Sequence, residues 1–195
     1  MSTRGKFEEV ECKFLEVNPK TLEKKLLTMG AVKKFERLFR RYVLDFPDLR
    51  LNANNAWLRV RDEGDRVTVG YKQRLNVRAG KQDGGMKEVE IIVNSFDDSV
   101  ELFKSLGMTP KFYEENRRTL FELDGVEVAI DEWPLIPPYV EIEGDSWDDV
   151  DTTAQRLGFN PAEKLICATM QVYERYGIDE MSFSKLTFDE QVKKS

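Results

Sequence analysis

Polar and apolar positions alternate with period two over eight stretches of the chain. These are Phe7–Val17, Arg41–Phe46, Ala56–Asp62, Arg66–Lys72, Met86–Val93, Arg117–Leu123, Val126–Asp131 and Tyr139–Glu143. That alternation predicts half-buried strands. Turn signals separate them: Glu63–Gly64–Asp65, Asp124–Gly125 and the Pro134–Pro138 stretch. Asp-Gly between two strands predicts a hairpin.

Four helical periods interrupt the strands. Asn18–Pro19 opens a segment with Leu22, Leu26 and Met29 on one face and Gly30 at its end. Ser95–Gly107 carries Val100, Phe103 and Leu106 at helical spacing. Ser146 caps a third helix with Val150, Ala154 and Leu157, closed by Gly158, and a fourth is predicted from Asn160–Pro161 to Gly177. Caps of Ser or Asn at the start and glycine at the end are the expected boundary chemistry.

A weak repeat links these elements. A Glu-x-Glu strand, a capped helix and a closing glycine recur as Glu9–Glu11 to Gly30, Glu88–Glu90 to Gly107, and Glu141–Glu143 to Gly158. No linker separates the copies, so a single domain over residues 1–195 is expected. Asn76–Gly85 is glycine-rich and polar and reads as a mobile loop. Phe183, Leu186 and Phe188 suggest that the tail docks.

Residues two apart on a strand share a face. Glu9, Glu11 and Lys13 therefore lie together, with Val10, Cys12 and Phe14 opposite. Arg59 pairs with Arg61, Glu88 with Glu90, Asn116 with Arg118, and Glu141 with Glu143, while Lys72 and Asp131 sit near strand ends. For any one strand a solvated outer face accounts for the charge. The set as a whole is different, because sign segregates: carboxylate pairs on some strands, guanidinium pairs on another. Like charges at this spacing repel and are poor choices for stability alone. They make sense facing inward, carboxylates around a cation and guanidiniums around an anion, with the four helices covering the apolar faces.

Composition narrows the chemistry. The 195 residues are 41% hydrophobic and 34% charged, with a formal net charge of −6, no histidine and two cysteines. The acidic balance argues against a nonspecific nucleic-acid binder. Absent histidine removes the usual zinc sites and every histidine triad. Cys12 and Cys167 read as packing residues. No apolar run reaches the ~18 residues of a membrane span, and the expected setting is cytoplasmic. Hard carboxylate ligands favour Mg²⁺ or Mn²⁺, and paired arginines suit phosphate oxygens. A linear polyphosphate with its metal is the simplest ligand.

With Glu9-x-Glu11-x-Lys13 at its start, the chain resembles the CYTH superfamily, the triphosphate tunnel metalloenzymes. Arg59-x-Arg61, Lys72, Glu88-x-Glu90, Arg118, Asp131 and Glu141-x-Glu143 follow in the family's order. The resemblance implies an α+β fold: a closed antiparallel barrel of about eight strands with helices outside. It implies that Glu9, Glu11, Glu141 and Glu143 hold a metal, with Asp131, Glu88 and Glu90 completing the acidic side. Lys13, Arg59, Arg61, Lys72 and Arg118 would clamp phosphates, and Glu9, Glu11 and Lys13 would carry the chemistry. The family commonly has Lys-x-Arg where this chain has Asn116-x-Arg118, and Lys185 in the tail is a candidate replacement for that lysine. Arg117 points away from Arg118. Trp57, Trp133, Tyr139 and Trp147 read first as core or rim and second as stacking surfaces.

The expected function is a metal-dependent triphosphatase acting on inorganic triphosphate, a nucleoside triphosphate or thiamine triphosphate. A class IV-type adenylate cyclase and a non-catalytic polyphosphate-binding module are the alternatives. The expected partner is a small-molecule triphosphate, with no nucleic acid and no membrane; whether the chain forms a homodimer stays open.

Overall fold

All eight alternating stretches contribute strands to the computed structural model, which describes residues 10–74 and 86–194. Expectations for Phe7–Glu9 and for the Asn76–Gly85 loop lie outside the described residues. Two strands are far longer than their alternation suggested: β2 (Val32–Asp45) and β6 (Thr109–Leu123). The chain forms two units, residues 1–37 with 117–178, and residues 38–116 with 179–195. Each unit is assembled from distant stretches, and the divisions fall inside β2 and β6, so no linker marks them.

In the first unit, β1 (Val10–Phe14), β8 (Tyr139–Gly144) and β7 (Val126–Glu132) are followed by the parts of β6 and β2 that belong to it. These strands pair antiparallel, setting Glu11 across from Glu143, Lys13 from Glu141, and Arg118 from Asp131. Helices α1 (Pro19–Thr28) and α4 (Trp147–Arg156) cover the other face. Leu22 and Leu26 of α1, and Val150 and Ala154 of α4, join Cys12, Phe14, Phe121, Val128, Val140 and Ile142 in a sealed core. Burial of the leucine, valine, isoleucine and phenylalanine side chains among them is worth roughly 1.5–3 kcal/mol each. Asn18 Oδ1 accepts from the Thr21 N–H at 3.0 Å and Ser146 Oγ from the Asp149 N–H at 3.2 Å, so both helix starts carry the predicted caps. Gly30 closes α1 at φ +87°, a conformation other residues adopt at a cost.

In the second unit, β6 and β2 are followed by β3 (Ala56–Asp62), β4 (Val67–Arg74) and β5 (Met86–Val93). A short helix, α2 (Arg50–Ala53), and α3 (Phe96–Ser105) complete it. Leu44, Leu58, Val60 and Val69 pack with Phe96, Val100 and Met108. Ser95 caps α3, its Oγ accepting from the Asp98 N–H at 3.1 Å.

Several expectations are corrected. The α+β class and the antiparallel pairing are as predicted, but neither unit closes on itself. Among the described residues the strand path ends at β1 in the first and at β5 in the second. The apolar face of β5 is not covered: Val89 and Ile91 are each 55% exposed, because α3 packs over β3 and β4. The helix predicted from Asn160 to Gly177 is broken. A 3-10 turn spans Pro161–Glu163, and α5 is confined to Thr169–Arg175. Between them Leu165 exchanges backbone hydrogen bonds with Lys13 at 2.8 and 3.0 Å, which requires extended backbone. Cys167 falls in this connection and is half-buried, not in a helix core, whereas Cys12 is fully buried.

The tail docks as strand, though its pairing was not foreseen. β9 (Phe183–Leu186) runs parallel to β6 and pairs with β10 (Gln191–Lys193), with Phe183 and Leu186 buried. No helix among the described residues is long and apolar enough to cross a membrane.

Candidate functional site

Strand parity in the first unit sets a row of charge on the face opposite the core. Lys13 stands across from Glu141 in the register, Glu11 across from Glu143, and Arg118 across from Asp131. Between Arg118 and Glu141 the sheet carries Ala129, which pairs with Glu141. The small side chain leaves Arg118 room to span the strand: its Nη2 donates to Glu141 Oε1 at 3.0 Å while its Nε donates to Asp131 Oδ1 at 2.8 Å. Lys13 Nζ lies 2.7 Å from Glu141 Oε2 and 3.1 Å from Glu11 Oε1. Glu141 is thus gripped from both sides.

Burial alone would drive Glu141 toward its neutral form. Arg118 and Lys13 outweigh it and hold the carboxyl well below the usual carboxylate range. The reciprocal holds for the cations. Burial disfavours the Lys13 ammonium, but Glu141 and Glu11 raise its pKa above the ordinary lysine value. Arg118 is likewise raised, Asp131 and Glu141 overcoming its desolvation. Glu141, Lys13 and Arg118 are thus all held in their charged forms.

Oxygens of Glu11, Glu141 and Glu143 lie within 4.8 Å of one another, close enough for one ion. Three carboxylates and no sulfur or imidazole suit a hard divalent cation. Asp131, fully buried, is engaged with Arg118 and stands outside that trio. Glu9 lies outside the described residues.

The second unit brings together three of the five predicted phosphate-clamp residues, Arg59, Arg61 and Lys72. Gly70 pairs with Arg59 on one side and Glu90 on the other, and Lys72 pairs with Glu88. Arg59 reaches Glu90 at 3.3 Å, Arg61 approaches the same carboxylate at 3.8 Å, and Lys72 meets Glu88 at 3.0 Å. Glu88 and Glu90 therefore act as counter-charges to the basic residues. A side chain at position 70 would stand 3.3 Å from Glu90 Oε2, so the glycine leaves space for the Arg59–Glu90 contact. Burial, with Arg61 and Arg41 nearby, lowers the Arg59 pKa to about 9.

Sequence reasoning missed four residues here. Arg41, buried on β2, pairs with Arg61 in the register and donates to Asn116 Oδ1. Its Nε also lies 3.7 Å from Glu114. The guanidinium beside Asn116 is therefore Arg41, while Lys185 pairs with Glu190 at the surface. Glu63 is buried in its turn and ion-pairs with Arg61 and Arg66. Extending the Asn116–Arg118 alternation back by two positions would have found Glu114. Glu180 had no periodic signal.

Trp133 and Tyr139 are buried, and Tyr139 hydrogen-bonds Thr169 at 3.1 Å, so both serve the core. Trp147 lies under the Lys164 ammonium at 4.4 Å, and Trp57 stands across from Lys72. Arg117 is exposed on the opposite face, as expected.

The CYTH domain model matches residues 8–169. No curated protein matches the sequence. Among solved structures, a candidate adenylate cyclase from Vibrio parahaemolyticus has a TM-score of 0.73 at 14% identity, over 88% of this chain and 99% of that one. The PH1012 protein of Pyrococcus horikoshii gives 0.67 at 21% identity, over 84% and 98%. A candidate adenylyl cyclase from Hippeastrum, described as having a dominant triphosphatase activity, gives 0.59 at 14% identity, over 87% and 96%. At these identities the likeness is one of fold.

Proposed function

The chain belongs to the CYTH-domain family, and from that premise we propose that it is a metal-dependent triphosphatase. The observation that carries this reading is the trio Glu11, Glu141 and Glu143, set against the cations Lys13 and Arg118. Mg²⁺ or Mn²⁺ would be held by the trio together with Glu9. When bound, the metal would neutralise phosphate charge and lower the pKa of a coordinated water.

The chain's own residues supply the rest. Glu141 is kept ionised and ready to ligate. Lys13 and Arg118 are permanently charged donors that stabilise charge developing on a transferred phosphoryl group. In the second unit, Arg59, Arg61 and Lys72 offer planar and point-charge donors for phosphate oxygens, with Arg41 beside them. Glu88 and Glu90 occupy these cations through ion pairs that an incoming polyanion would compete with.

The test is incubation with Mg²⁺ or Mn²⁺ and inorganic triphosphate, ATP or thiamine triphosphate, with released phosphate and cyclic AMP measured in parallel. Metal-dependent phosphate release is expected. Cyclic AMP from ATP would instead assign a cyclase, and tight binding without turnover a non-catalytic module; either result overturns the proposal.

A further inference from the structure

The turn that joins β3 to β4 carries a buried carboxylate. Glu63 opens that turn, its N–H donating to the Arg66 carbonyl at 2.9 Å. The residue before it is pinned on both oxygens. Asp62 Oδ1 accepts from the Gly64 N–H at 2.8 Å, and Asp62 Oδ2 accepts from Arg40 Nε and Nη2 at 2.9 and 2.8 Å. The Glu63 side chain is 3% exposed, and each of its oxygens accepts from one arginine: Oε1 from Arg61 Nη2, Oε2 from Arg66 Nε at 2.8 Å.

The Arg61 guanidinium also lies over the buried Phe39 ring, 5.2 Å from its centroid. A second carboxylate, Glu90, approaches it differently. Glu90 Oε2 stands 3.8 Å from Arg61 Nη2, beyond hydrogen-bond reach, and the same oxygen serves Arg59 at 3.3 Å. The Glu90 side chain is 29% exposed and belongs to β5, where the strand path of this unit ends among the described residues. An ion pair at longer range and open to water is the weaker one. A polyanion arriving from solvent therefore displaces Glu90 before Glu63.

We propose that Glu63 is a positioning residue that holds the Arg61 guanidinium ready for a phosphate, whereas Glu90 is the counter-charge that gives way. Arginine binds phosphate through a planar fork, so its orientation matters as well as its charge. A side chain already fixed on Phe39 and Glu63 loses less freedom on binding than one the ligand must order. The phosphate part of the proposal rests on the function proposed above; the ordering of Arg61 by Glu63 does not.

On charge alone, removing either carboxylate would favour a polyanion. Calorimetric binding of inorganic triphosphate separates the two roles, with metal omitted so that neither turnover nor metal ligation intervenes. Glu90→Gln should tighten binding several-fold. Glu63→Gln should weaken it several-fold, although it too removes a negative charge. In an Arg61→Gln background, Glu63→Gln should have no further effect. Equal or tighter binding by Glu63→Gln in the unaltered background overturns the proposal, and weaker binding by Glu90→Gln overturns the division of roles. A loss of the same size in both backgrounds, as a general disturbance of the fold would give, also overturns it.

The ordering is tested without any ligand. Rotation of the Arg61 guanidinium about its Nε–Cζ bond, read by ¹⁵N NMR, should be slow in the unaltered protein and faster in Glu63→Gln. Equal rates in the two proteins sink the ordering. If the unaltered protein binds no triphosphate, the phosphate clamp assigned to this unit fails, while the NMR comparison still decides whether Glu63 holds Arg61.

Discussion

Lys13 occupies the place a competing cation would take. Its ammonium lies against two of the three carboxylates that form the candidate metal site. At close range in a buried setting such a charge interacts far more strongly than at the surface. Lys13→Gln should therefore tighten Mn²⁺ binding, measured by calorimetry, while slowing any turnover, because the same ammonium is a proposed phosphate donor. Weaker Mn²⁺ binding in that variant would show that Lys13 orders the trio rather than competing with a metal. Glu141 makes a second prediction. Its pKa is lowered on folding, so its stabilising contribution is present above the unfolded value of about 4.3 and is lost as pH falls through the folded one. Glu141→Gln leaves Lys13 and Arg118 short of a buried partner, a change that typically costs about 3–5 kcal/mol. Chemical denaturation at neutral pH should show that loss, with a shallower acid limb in the variant.

At the scale of elements, the strands and caps were legible because their causes are local. Period-two alternation located β3 and β5 to the residue, and Ser95, Ser146 and Asn18 marked three helix starts. What escaped was fixed by distant partners. The backbone around Leu165 gives up its helix to bond Lys13, and β9 forms because β6 offers a pairing edge. The charged faces followed from parity, but their pairing did not: Asp131 goes to Arg118, and Glu90 to two arginines, through registers that the sequence does not reveal. Two substitutions probe this level. Ile142→Ala, at a fully buried position opposite the charged row, should cost about 2–5 kcal/mol of unfolding free energy. Gly70→Ala should leave the fold intact but push the Glu90 carboxylate away from Arg59, which a change in the Arg59 side-chain NMR signal would reveal. An unchanged signal would mean that Glu90 adjusts without losing the contact.

For the molecule as a whole, like-charged pairs recur on strands whose other faces mostly build a core, and they are balanced within each unit by opposite charge. That arrangement costs stability unless something is bound or stabilised there. The chain belongs to the CYTH-domain family, and we propose that its carboxylate trio holds a divalent metal that drives triphosphate hydrolysis. The most direct measurement is phosphate release from inorganic triphosphate as a function of Mn²⁺ concentration, comparing the unaltered protein with Glu11→Gln. Saturable, Mn²⁺-dependent release is expected, with a fall on the order of 100-fold in the variant. Equal release from both proteins, or release that ignores Mn²⁺, would contradict it.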